Sequence, residues 1–275
     1  MRRLPLRCLM ILLAMLPGPS AIAARMETVA IPPQAVPGSR MPTQPIPAIL
    51  ELPDGKGPFP AVIVLHGCGG RSSSQQIWAG RLNGWGYAAL IPDSFAPRDV
   101  FGGGVCPADR QHLVTYQDRA GDVLSAGVWL RTRPDIDGGR IGVLGVSHGG
   151  GTAAWVTQRR YEQLYPGLLK ASVDYYGACR AAETHGTVPL LALAGDDDTW
   201  GFPALSCRGF AGKLQPNQVF EVHTYPGAVH DFDNPQMPFR GSNQGHPTGY
   251  DHDAAEDSFV RVKTFLDRYV GHAGS

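Results

Sequence analysis

The chain has 275 residues, 43% apolar and 17% charged, and its 24 basic and 24 acidic side chains balance to a formal net charge of +0. That composition describes a globular chain and excludes a disordered one. The charge balance removes the electrostatic case for a nucleic-acid or anionic-membrane partner.

The first 24 residues read as a secretory signal peptide. Met1-Arg2-Arg3 is a short basic region, Leu9 to Leu16 is an apolar core, Pro17-Gly18-Pro19 breaks it, and Ala21-Ile22-Ala23 offers a cleavage site near Ala23/Ala24. The apolar core is too short to cross a bilayer, so no membrane span is expected in the mature protein and export to a periplasm or the medium is. Residues 25–44 carry Ile31-Pro32-Pro33, Val36-Pro37-Gly38 and Met41-Pro42, and read as a proline-rich, extended lead-in outside the core. Residues 45–275 read as one domain, since no second composition regime and no internal repeat follow.

Within that domain strands alternate with helices. Strands are expected over 46–52, 61–65, 87–91, 140–145, 171–176, 190–194 and 219–225. Helices are expected over 75–82, 113–131, from Thr152 onward, over 204–214, and in a last segment capped by Asp251 or Asp253. In that last helix Phe259, Val262, Leu266 and Tyr269 recur at helical spacing and face the core. Residues 97–110 are a glycine-rich loop. Such alternation predicts an α/β fold, with a mostly parallel sheet and helices on both faces.

Ligands of such sheets bind beyond the carboxyl ends of the strands, so the residues there carry the functional reading. Gly145-Val146-Ser147-His148-Gly149 lies between a strand and a helix, where a nucleophilic serine can sit on a strained turn. Gly195-Asp196-Asp197-Asp198 follows a later strand; Asp198 is the expected acid, with Asp197 as the fallback. His230 follows the last strand and is the expected base. The order Ser147, Asp198, His230 is the order in α/β-hydrolases. Backbone N–H groups of His148 and Cys68, the latter in Leu65-His66-Gly67-Cys68-Gly69-Gly70, are the expected oxyanion donors. Trp78, Phe95, Tyr176 and Trp200 sit near strand ends and are expected in the substrate pocket.

Export leaves four cysteines in an oxidising compartment, and the pairs Cys68–Cys106 and Cys179–Cys207 are expected. Their spacing fits no zinc site, and His246, Asp251, His252 and Asp253 match no metal-ligand spacing, so neither metal nor cofactor is called for. A small-molecule ester is the expected partner. Two other readings use the same residues: a ligand-binding module that lost catalysis, and an exported peptidase or amidase.

Together VIVLHGCGG, IPDSF, GVLGVSHGG, LALAGDDDTW, YPGAVHDFDNP and the closing VRVKTFL resemble the dienelactone hydrolase family, over about residues 46 to 270. The resemblance implies an α/β-hydrolase fold, a Ser147–Asp198–His230 triad and oxyanion donors at Cys68 and His148. The enzymes that name the family use a cysteine nucleophile in the cytoplasm; this chain has serine and a signal sequence. Arg98 stands where a substrate-carboxylate arginine could be. A secreted carboxylesterase for small or medium esters and lactones is the expected activity.

Overall fold

The computed structural model describes residues 25–180 and 184–271. The targeting segment expected over 1–24 lies outside the described residues. Strands β1 (Arg25–Ile31), β2 (Ile46–Leu52), β3 (Phe59–Leu65), β4 (Ala88–Pro92), β5 (Ile136–Val146), β6 (Ala171–Tyr175), β7 (Leu190–Gly195) and β8 (Phe220–Tyr225) form one sheet in the order β1-β2-β4-β3-β5-β6-β7-β8. β1 and β4 run antiparallel to β2; from β4 to β8 every pair is parallel.

Alternation along β3 shows how the layers form. Ala61, Ile63 and Leu65 pack toward α2 (Tyr116–Leu130) and α3 (His148–Val156), with Val123, Leu124 and Val156. Val62 and Val64 pack on the other face toward α1 (Ser73–Gly84) and α6 (His252–Tyr269), with Leu82, Val262 and Leu266. Burial on both faces is why these strands read as unbroken apolar runs. α6 is capped by Asp251, whose carboxylate accepts the Ala254 N–H at 3.0 Å. Phe259, Val262 and Leu266 are buried there, and Tyr269 is half-buried.

The segment 25–44, expected as an extended lead-in outside the core, instead joins the fold. Arg25–Ile31 pairs residue for residue with β2, and Ile31 and Val36 are buried in the core. Prolines masked it: β1 ends where Pro32 removes the next donor, and the chain beyond packs on α2 through Val36. Three elements without a sequence counterpart also appear: α4 (Arg159–Leu164) and the hairpin of β9 (Gly241–Asn243) and β10 (His246–Thr248). α5 (Pro203–Ala211) follows β7.

β3 pairs with β4 on one side and β5 on the other: α1 leads from β3 to β4, and α2 then carries the chain back across β3 to β5, so the direction of winding reverses there. This switch point opens a crevice between the carboxyl ends of β3 and β5, where Leu65 lies beside Gly145.

Candidate active site

Ser147 sits at that crevice, between β5 and α3, with φ 55° and ψ −119°. A side chain at such a φ is strained, and the neighbours hold it there. Its N–H donates to the Tyr175 carbonyl at 2.9 Å, and its own carbonyl accepts from Gly151 N–H at 2.9 Å. The flanking glycines are steric necessities: a Cβ at Gly145 would overlap the Gly149 carbonyl, and one at Gly149 would lie 2.5 Å from the Leu65 carbonyl oxygen. Because that close approach needs no side chain, α3 begins at His148, four residues before the expected Thr152.

His230 Nε2 lies 2.9 Å from Ser147 Oγ, and His230 Nδ1 lies 2.6 Å from Asp198 Oδ2. The other oxygen of Asp198 accepts the Trp200 N–H at 2.7 Å, which fixes the carboxylate. Of the two acids weighed, Asp198 is the one that reaches the histidine. The loops carrying them are braced together, with Asp197 N–H on the Ala228 carbonyl at 3.0 Å and Gly249 N–H on the His230 carbonyl at 2.9 Å. The β9–β10 hairpin therefore holds the histidine backbone from behind.

Burial works to lower the pKa of His230, but the hydrogen bond and charge of Asp198, with Asp231 and Asp233 nearby, outweigh it and raise the net value. Tyr176 and Trp200 flank the ring, with centroids 4.7 and 5.1 Å away. Tyr176 donates its hydroxyl to Asp233 at 2.6 Å, and burial pushes the Asp233 carboxyl up to about 6.

The β3 loop presents a second set of groups. His66 Nδ1 lies 2.8 Å from the Gly67 carbonyl, while His66 Nε2 faces the Ser94 N–H at 3.3 Å. An amide can only donate, so Nε2 accepts and Nδ1 carries the proton. That anchors the Gly67 carbonyl, and in a trans peptide the Cys68 N–H points the opposite way. The His148 N–H belongs to the first turn of α3, where the helix supplies no acceptor. These two donors flank Ser147, and a Cβ at Gly67 would touch the Ser147 side chain at 3.5 Å.

A cleft of about 460 Å³ opens over Ser147, lined among others by Cys68, Tyr116, His148, Tyr176, Arg180 and Trp200. Two of the aromatic residues expected in it lie elsewhere. Trp78 points into the core under α6, packed on Tyr175 and Phe259, and donates to Asp233 at 2.8 Å. Phe95 is buried against His66 in a cluster with Val100, Val105 and Val114. Trp78 sits on the face of α1 turned to the sheet, and nearness of Phe95 to the end of β4 does not reveal on which side its ring turns. Arg98 also faces away: its guanidinium holds Asp122 through two bonds of 2.8 and 2.9 Å, mostly buried.

Both expected disulfides are formed, Cys68–Cys106 and Cys179–Cys207. Asp174, Cys179 and Cys207 make the one cluster of metal-ligating side chains found among the described residues, but its two sulfurs are bonded to each other. Of the histidine–aspartate group weighed for metal, His246 stacks on Trp200 and reaches Thr199, Asp251 caps α6, and His252 and Asp253 stand exposed on its first turn. Sequence reasoning missed Arg119, a fully buried arginine on α2. In the sequence it is one charge among Asp118, Arg119 and Asp122 at the start of α2, with nothing to single it out.

The sheet order, the switch-point crevice and the site define an α/β-hydrolase. The sequence profile of the dienelactone hydrolase family matches residues 46–270, and the chain belongs to that family. Carboxymethylenebutenolidase of Pseudomonas putida is 26% identical over 190 residues, covering 64% of this chain and 76% of that protein. Mouse acyl-coenzyme A thioesterase 3 is 35% identical over 107 residues, 38% of this chain; the match spans about a fifth (21%) of that protein's length. A crystal structure from Klebsiella pneumoniae, assigned provisionally as a dienelactone hydrolase, superposes with a TM-score of 0.70 at 21% identity, covering 90% of this chain and all of that one (100%). At that identity the superposition speaks for the fold. The chain is a hydrolase acting on esters or lactones.

Proposed function

We propose that the protein is a serine hydrolase of small or medium carboxylic esters and lactones, working through an acyl-enzyme on Ser147. The observation that carries this reading is buried His230, whose two ring nitrogens reach Ser147 Oγ at 2.9 Å and Asp198 at 2.6 Å. His230 takes the proton from Ser147 as Oγ attacks the carbonyl carbon, then returns it to the leaving oxygen. Asp198 holds the Nδ1–H tautomer and stabilises the imidazolium that forms in between. The Cys68 and His148 N–H groups receive the oxyanion. Water then repeats the sequence on the acyl-enzyme and frees Ser147.

The cleft's size suits a small substrate. The two disulfides support an exported protein, since such bonds persist in oxidising compartments. Among the described residues no helix is long and apolar enough to cross a membrane.

The test is hydrolysis of p-nitrophenyl esters of increasing acyl length by the wild type and Ser147→Ala. The expected result is turnover with a burst of one nitrophenolate per chain, and a fall in kcat of about 10³-fold or more in the variant. Ester turnover that survives the substitution would remove Ser147 from the mechanism.

A further inference from the structure

α2 buries an arginine that makes no direct ion pair among the described residues, though the charge of Asp122 one turn on favours it. Arg119 Nη1 lies 2.8 Å from His148 Nδ1, and Nη2 donates to the His66 carbonyl at 2.8 Å. Burying a guanidinium without a directly bonded carboxylate is costly, so what it holds in place matters. A guanidinium can only donate. Nδ1 of His148 must therefore accept, and the ring proton sits on Nε2. Burial, and then the charge of Arg119, push the His148 pKa well down, so the ring stays neutral. The Tyr116 ring braces it at 4.6 Å. Among the described residues no hydrogen bond holds Nε2, and His148 lines the cleft beside Ser147.

We propose that the His148 side chain is a specificity-determining donor, whose Nε2–H binds an oxygen acceptor in the acyl portion of the substrate. Arg119 is the positioning residue that fixes the proton on Nε2. The preferred class, resting on the serine-hydrolase reading above, is an ester whose acyl group carries an ether, keto or hydroxyl oxygen close to the scissile carbonyl. The acyl side follows from the layout. His230 must protonate the leaving group, and it approaches Ser147 from the β7–β8 side. His148 is held from the opposite side, by α2 and the β3 loop.

The experiment compares p-nitrophenyl methoxyacetate with p-nitrophenyl butanoate. The two share a leaving group and differ by one oxygen in place of a methylene. Each kcat/KM is divided by the ester's hydroxide rate, and the ratio is measured for the wild type and His148→Asn. Asparagine keeps an acceptor for Arg119 but is too short to carry a donor to the Nε2 position. The expected wild-type ratio favours methoxyacetate by about fivefold to tenfold, the worth of one neutral hydrogen bond, and the variant loses that preference whatever its overall rate. An active wild type with no preference, or a variant with the same ratio, overturns this inference alone. A wild type inactive on both esters overturns the hydrolase reading and this inference with it.

A second measurement needs no turnover. Two-bond nitrogen–proton spectra of ¹⁵N-histidine protein, with His148 assigned by its loss in the variant, should show the Nε2–H tautomer. In Arg119→Met its nitrogen shifts should move to the averaged values of exchanging tautomers. An Nδ1–H form in the wild type, or unchanged shifts in Arg119→Met, would remove Arg119 from the role.

Discussion

At the scale of the residue, the proton inventory of the site sets a measurable pH dependence. In the proposed mechanism only a neutral His230 can take the proton from Ser147. Burial favours that neutral form, but the Asp198 hydrogen bond and charge prevail and the ring keeps its proton to higher pH than an ordinary histidine. The sign follows: activity is absent below the His230 pKa and appears as pH rises through it. The kcat/KM profile should therefore show an acid limb with its midpoint above about 6.5 and a plateau beyond. In Asp198→Asn the main raising influence is gone, so the midpoint should move down while kcat falls about 10³- to 10⁴-fold. A limb centred below 6.5 in the wild type, or one that stays put in the variant, would contradict this account of His230.

At the scale of the element, the loop leaving β4 is tied to α2 by the ion pair of Arg98 and Asp122. Arg98 also donates to the Ser94 carbonyl at 2.7 Å and to the Arg40 carbonyl at 3.0 Å, so three segments meet on one guanidinium. Burial pushes the Asp122 carboxyl up while Arg98 pulls it down. Arg98→Ala would strand that carboxylate in the interior and should cost about 3 to 5 kcal/mol of stability. Urea unfolding of the two proteins measures it; a change below about 1 kcal/mol would mean that water reaches Asp122. The element scale also shows where the sequence was readable. β3, β5, β6 and β7 are buried on both faces, so each appears as an apolar run, and Ser147, Asp198 and His230 follow β5, β7 and β8 by position alone. β1 was hidden because its prolines begin one residue after it ends, and Pro247 concealed the hairpin that braces His230. Trp78 lies inside α1, on the face turned to the sheet, and Phe95 follows β4 with its ring turned into the core, so neither address told the direction of the ring. Arg119 was invisible for the same reason: its meaning depends on the two acceptors that the fold brings to it.

At the scale of the whole molecule, both disulfides lie at the carboxyl edge of the sheet, on opposite flanks of Ser147. Cys68–Cys106 ties the β3 loop to the 97–110 loop, and the Val105 N–H reinforces the tie by donating to the Cys68 carbonyl at 2.8 Å. Cys179–Cys207 ties the chain after β6 to α5. They close 38 and 28 residues of sequence separation. Each should therefore contribute about 2 to 4 kcal/mol by constraining the unfolded chain. Their consequences should nevertheless separate. The first bond positions the peptide that carries the Cys68 N–H, whereas the second meets the site only through the wall of the cleft. Cys106→Ser and Cys207→Ser should both lower Tm, each by roughly 5 to 15 °C for a chain of this size. At a temperature where both variants are folded, Cys106→Ser should lose about tenfold in kcat as the proposed oxyanion donor loosens, and Cys207→Ser should lose far less. Circular dichroism melts and ester kinetics on the same preparations give both readouts. Equal losses of kcat would mean that the His66 anchor alone holds the Cys68 N–H in place, and that the bond serves stability only.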